Sequence, residues 1–181
     1  MKKTALAALL ATAMFSVATN AQASKAVGEW FLTPMISAIW VSDDRLVDDD
    51  FGGHIGIGKA VSERINIEFN LIGVSYEGFD EQDVFGVGFD VMPVFYRDDR
   101  FSPYFLLGVG YAKTNRTIGR DTSNATTSFG FGFLSTFGSS RTSLRTELRY
   151  RMDWTDENIV GAGPLNDFLI NIGFQIPLGH K

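Results

Sequence analysis

The chain has 181 residues, with 16 basic side chains against 21 acidic ones and a mean hydropathy of +0.03. An acidic balance argues against nucleic acid as a partner. The absence of cysteine excludes disulfides, thiol chemistry and lipidation at an N-terminal thiol. No run after residue 23 has the length and apolarity of a transmembrane helix, which needs roughly 20 residues.

Residues 1–23 read as a secretory signal. Lys2 and Lys3 form the positive start, Ala5 to Val17 the apolar centre, and Ala21-Gln22-Ala23 a small-x-small site before Ser24. Cleavage after Ala23 is expected, leaving 24–181 as one domain. It removes two of the 16 basic residues and no acidic one, so 14 face 21 and the net charge becomes −7.

Beyond the signal the apolar period is two, the spacing of a strand with one apolar and one polar face. The first expected strand runs from about Trp30 to Ser42 and the second from about Phe51 to Ala60. The third sets Ile65, Ile67, Phe69 and Leu71 against Asn66, Glu68 and Asn70. The fourth sets Phe85, Val87, Phe89 and Val91 against Gly86, Gly88 and Asp90. The fifth (Tyr104 to about Lys113) and sixth (about Thr126 to Phe137) place glycine on the second face. In the seventh, Leu144, Thr146, Leu148, Tyr150, Met152 and Trp154 oppose Arg145, Glu147, Arg149, Arg151 and Asp153. The eighth aligns Phe168, Ile170, Ile172, Phe174, Ile176 and Leu178, with Leu169 as the apolar exception among Asn171, Gly173 and Gln175.

Eight such strands make an interior just wide enough to be filled by side chains. Glycines beside long Arg and Glu suit that narrow interior, whereas the face crowded with Phe, Ile and Leu suits lipid. The expected fold is therefore all-β, an eight-stranded antiparallel up-and-down transmembrane β-barrel with charge inside. Trp30 and Trp40 share parity, and ten residues span roughly 25 Å of height at a tilt of about 40°, the separation of two aromatic girdles. Tyr150 and Trp154 join that girdle set, and Tyr76, Phe95, Tyr96 and Tyr111 also fall near strand ends. Short connections are expected at 61–64, 97–103 and 138–142, and longer ones at 42–50, 76–83, 113–125 and 153–166. That alternation would put both termini in the periplasm.

The segment Ser102-Pro103-Tyr104-Phe105-Leu106-Leu107-Gly108-Val109-Gly110-Tyr111 and the strand Ser143 to Tyr150 resemble the N-terminal barrel of OmpA-like outer-membrane proteins. Asn166 to Gly173 fits that family's last strand. The resemblance spans residues 24–181 and implies a Gram-negative outer-membrane location. Asn171, Gly173, Ile176 and Leu178 are similar to the polar-x-Gly-x-x-hydrophobic-x-hydrophobic signal read by the barrel-assembly machinery, with Leu178 where an aromatic is usual. That machinery and periplasmic chaperones are the partners implied during export. Only three residues follow Leu178, so the resemblance is not carried to a peptidoglycan-binding domain.

The inward charges are the main candidate site: Glu68, Asp90 and Glu147 against Arg145, Arg149 and Arg151. They are expected to form a salt-bridged plug; a gate opening a narrow ion path is the alternative. Asp43, Asp44, Asp48, Asp49 and Asp50 make one acidic loop, and Glu77, Asp80, Glu81 and Asp83 another. Neither has the spacing of a calcium loop, so no metal and no cofactor are expected. The two histidines, His54 and His180, have no nucleophile in a catalytic pattern beside them, and an enzyme is not expected. The combined reading is a structural or surface-interaction barrel in contact with outer-membrane lipid and lipopolysaccharide. The loops carry no recognisable code for an extracellular ligand.

Overall fold

The computed structural model describes residues 27–41, 50–76, 82–97, 100–116, 121–136, 141–154 and 165–179. Eight strands follow in order: β1 (Trp30–Val41), β2 (Asp50–Ser62), β3 (Ile65–Tyr76), β4 (Gln82–Pro93), β5 (Phe101–Arg116), β6 (Thr122–Thr136), β7 (Ser143–Trp154) and β8 (Leu165–Pro177). Each pairs antiparallel with the next, and β8 returns to β1 to close the barrel. Closure leaves no strand edge unpaired, the condition for placing a sheet in hydrocarbon.

Alternation decides which way each side chain points. On β7 the odd residues Arg145 to Asp153 are buried inside, while Leu148 and Trp154 are exposed outside. On β3 Asn66, Glu68 and Asn70 point in and Ile65, Phe69 and Leu71 point out. An apolar exterior around a charged interior inverts the soluble arrangement. It is the sidedness that lipid demands.

β5 and β6 reach beyond their expected ends, with Thr114 still paired to Thr122. Apolar periodicity stops where the outer face leaves hydrocarbon, but the backbone ladder continues past it. The connections consequently shrink to five residues after β3 and five after β5, against eight after β1 and ten after β7. At the other end they measure two, seven and six residues, so the expected alternation in length is blurred. Tyr76 is a second correction. It lies inside at 2% exposure, because β3 turns its even residues inward to its last position.

The interior is layered. Near the termini Phe31, Met92, Val94, Tyr104, Leu106 and Leu134 pack into one apolar cluster. At the opposite end Ile39, Val74, Tyr76, Val84, Ala112 and Leu169 form another. The expected charged interior is thus refined: apolar layers flank the larger charge network, which occupies the middle of the lumen. On β1 the alternation of apolar and polar is weak because Phe31, Met35 and Ile39 point in, which leaves both of its faces apolar.

Side chains also tie down the end that holds the termini. Arg97 donates to the carbonyls of Glu63 (2.6 Å) and Ser62 (3.1 Å) and to Asn66 Oδ1 (2.5 Å). Burial pulls its pKa below the ordinary arginine value, against the opposing charge of Glu63. Arg141 bridges Glu29 Oε1 (2.6 Å) and the carbonyl of Gly179 (2.7 Å), joining the start of the barrel to its end.

The closing seam between β1 and β8 is tightly packed at Gly173. Its register pairs Leu32 with Ile176 and resumes at Met35 with Gly173, skipping Pro34, which has no N–H to donate. A Cβ on Gly173 would overlap the Pro34 carbonyl oxygen and lie 2.7 Å from Met35 Cα. Gly173→Ala is expected to lower the unfolding free energy by about 3 kcal/mol through overpacking. Gly73→Ala, where a Cβ meets nothing within 4 Å, should be neutral. Urea unfolding followed by tryptophan fluorescence separates the two, and equal midpoints would refute the seam constraint.

Candidate functional site

β7 builds the site. Its odd positions stack on one wall of the lumen, so Arg145, Glu147 and Arg149 project toward β3 and β4 without any bend in the chain. Room on the facing walls comes from small residues. At Gly56 a Cβ would lie 2.6 Å from Glu68 Cδ, so only glycine lets that carboxylate cross the interior.

Glu147 is the hub. Its Oε2 accepts from Arg145 Nη2 (2.7 Å) and Tyr104 OH (2.9 Å). Its Oε1 accepts from Arg149 Nε (2.8 Å) and Asn171 Nδ2 (2.9 Å). Arg145 continues to Glu68 Oε2 (2.8 Å), which also accepts from Thr33 Oγ1 (2.8 Å). Arg145 Nε donates to Tyr104 OH (2.8 Å). On the other side Arg149 Nη2 reaches Asp90 Oδ2 (2.8 Å), which takes a further bond from Asn70 Nδ2 (2.9 Å). His54 completes the set, with Nε2 lying 3.5 Å from Glu68 Oε1.

Arg151 belongs elsewhere, which corrects the expected grouping of three acids against three arginines. Its partners are Asp167 Oδ2 (2.6 Å) and Asp153 Oδ1 (3.2 Å), beside Tyr76 OH at 3.4 Å. The physical reason is height: Arg151 lies a full strand repeat beyond Arg149, nearer the second apolar cluster. Between the two ionic groups a void of about 20 Å³, bounded by Asn70, Gly88, Asp90, Ser128, Arg149 and Arg151, has room for about one water.

The network is dry. Arg145 is 0% exposed, and Glu68, Glu147 and Asp90 are each 1% exposed. Ions in such a place are tolerated only when fully paired, since removing one partner leaves its mate uncompensated. The arrangement can therefore brace the barrel wall across its diameter.

The outer-face residues have separate roles. Trp30 and Trp40 are about half exposed, and Lys59 Nζ lies 5.2 Å from the Trp30 ring centroid. Trp40 packs on Phe168 at 6.1 Å, and Tyr150 on Phe129 at 5.2 Å. Trp154 Nε1 donates to Thr127 Oγ1 at 3.0 Å. Of the C-terminal motif, Asn171 is bound into the network and Gly173 forms the seam. Ile176 has outward parity yet is only 4% exposed, and Leu178 lies past β8, donating to the Trp30 carbonyl at 2.8 Å. Ala21, Ala23 and Ser24 lie outside the described residues, as do Asp43, Asp44, Asp48, Asp49, Glu77, Asp80, Glu81 and His180.

Thr33, Tyr104, Asn70, Asn171, Asp167 and His54 are network members or neighbours absent from the expected charge set. Parity alone would have placed Tyr104 inside with Gly108 and Gly110. Nothing local told which acid it would meet.

An apolar exterior, an ion-paired interior and eight closed antiparallel strands define a membrane-spanning β-barrel. The model of the outer membrane protein β-barrel domain family matches residues 7–174, and the chain belongs to that family. It is thus an outer-membrane β-barrel protein. Neisserial surface protein A (NspA) has a similar structure at TM-score 0.67 and 10% identity, covering 81% of this chain and 96% of its own. Pseudomonas aeruginosa OprG is similar at TM-score 0.56 and 12% identity, covering 89% and 100%. The N-terminal barrel of Pseudomonas aeruginosa OprF follows at TM-score 0.53 and 14% identity, covering 82% and 99%. At these identities the likeness is one of fold. No curated protein matches the chain by sequence.

Arg145→Ala should destabilise the barrel by about 3–5 kcal/mol, because it strands two buried carboxylates. Lys113→Gln breaks the exposed pair with Asp121 and should change stability by less than about 0.5 kcal/mol. Urea titration in detergent micelles checks both, and a small effect for Arg145→Ala would rule out the bracing role.

Proposed function

We propose that this protein is a closed structural and surface-interaction barrel of the outer membrane, non-enzymatic, with its termini in the periplasm and its acidic loops outside. One observation carries the reading: the ionic layer is sandwiched between two apolar clusters of inward side chains. An ion crossing the lumen would have to displace both, as well as break charge pairs. Such an interior favours rigidity over conduction.

The orientation rests on the connections. The two longest, of eight and ten residues, lie at the end away from the termini, while the tightest turn and the Arg97 and Arg141 ties lie at the other. Barrels of this class keep short turns in the periplasm. Cleavage after Ala23, delivery by periplasmic chaperones, insertion by the barrel-assembly machinery and contact with lipopolysaccharide belong to the same proposal.

Planar-bilayer recording is the test. Neither the wild type nor Arg149→Ala should show stepwise conductance; openings in the wild type that Arg149→Ala alters would replace this reading with the gated narrow channel. Orientation is checked in intact cells, using the absence of native cysteine. Asn158→Cys should react with an impermeant maleimide, and Glu63→Cys only after lysis. The reverse pattern would invert the barrel.

A further inference from the structure

On the outer wall of β4 to β7 the register stacks side chains into rows. Val91, Leu107 and Phe129 make one row, and Phe89, Val109, Thr127 and Met152 the next. Phe89 and Phe129 stand at the sides with Leu107, Val109 and Thr127 between them, so the rows outline an open apolar groove of about 410 Å³. Leu107 and Val109 in its bed are each 61% exposed, among the most exposed apolar side chains of the barrel.

The groove has a polar upper end. The next row holds Val87, Tyr111, Ala125 and Trp154, and the one beyond it Phe85, Lys113 and Ser123. Tyr111 and Trp154 are 53% and 52% exposed, forming a collar whose indole is fixed by its bond to Thr127. The Lys113 side chain is 54% exposed and its ammonium lies 3.5 Å from Asp121 Oδ2. A pair so open to solvent is weak, and an incoming phosphate can share the ammonium. Four residues separate Val109 from Lys113, roughly 10 Å of height on a tilted strand. That places a cation at headgroup level directly above a bed at acyl-chain level.

We propose that this face is a binding site for a phosphorylated, multiply acylated lipid of the outer leaflet, with one acyl chain in the groove and a phosphate on Lys113. Apolar contact alone gives no selectivity in a membrane, where every lipid tail is as apolar as the groove. Shape fit together with the phosphate contact supplies it. The Tyr111 hydroxyl lies in the collar between them, where an amphipathic ring meets an ester or phosphate oxygen. The outer-leaflet assignment rests on the orientation proposed above; the binding itself does not.

The test uses the full barrel in detergent micelles, with Trp30→Phe and Trp40→Phe so that Trp154 alone reports among the three tryptophans. Diphosphorylated lipid A is titrated against its dephosphorylated form, and native mass spectrometry counts the lipids retained. One lipid A per barrel is expected. Val109→Phe fills the bed and should weaken both lipids by roughly tenfold, the scale of an overpacked contact. Lys113→Gln should weaken only the phosphorylated lipid, by up to about fivefold, as for an exposed ion pair. Ile55→Phe, on the outer face of β2, should change nothing. Each variant is checked for folding by its heat-modifiable gel mobility. Equal binding by wild type and a folded Val109→Phe, or no discrimination between the two lipids, overturns the site. Labelling of Asn115→Cys in intact cells confirms the leaflet; labelling only after lysis overturns the outer-leaflet assignment while the titration separately decides the binding.

Discussion

The narrowness of an eight-stranded barrel governs this protein. Such an interior holds side chains and almost no water, so each charge placed there must find its counter-charge within the lumen, on its own strand or across from it. Glu147 meets that constraint with four donors from three strands, β5, β7 and β8. Arg145 does so by touching Glu68, 77 residues away in sequence, and Glu147, two residues away. Long-range pairing of this kind holds opposite walls at a fixed distance. The same distance is then imposed on the hydrogen-bonded ladder around them.

The two apolar clusters follow from the same geometry. A charged layer open to water at either end would be screened and weakened. Phe31, Met92 and Leu106 on one side and Ile39, Val84 and Leu169 on the other keep it dry. The low-dielectric surroundings that make an orphaned ion costly also strengthen every completed pair. The proposed surface-directed role fits this closed interior: with the lumen filled by paired charges and apolar layers, the loops and the outer wall are what remain to meet the environment.

The outer wall obeys a different rule. Hydrocarbon does not drive apolar side chains together, so shape and the placement of polar groups at the rims decide what lies against it. Trp30 beside Lys59 marks one rim, and Tyr111, Trp154 and Lys113 the other. Between them the β4–β7 face departs from a smooth surface because valines and a threonine interrupt the phenylalanines.

Much of this was legible in the chain itself. A strand's side-chain period is a local property, so the alternation on β3, β4 and β7 was enough to give facing and the inward position of Glu68, Asp90, Arg145, Glu147, Arg149 and Arg151. The partners were not legible. Which acid meets which arginine depends on strand register and on how far each wall is displaced around the barrel, and neither is encoded within one strand. That is why Arg151 pairs with Asp153 and Asp167, and why Thr33, Tyr104 and His54 enter the site from strands whose patterns were irregular or glycine-rich. Sequence alone determined an apolar outside and a charged inside; strand register decided the groove on β4 to β7, and closure of β8 on β1 decided the network and the apolar layers, because those are made by residues that meet only once the sheet becomes a ring.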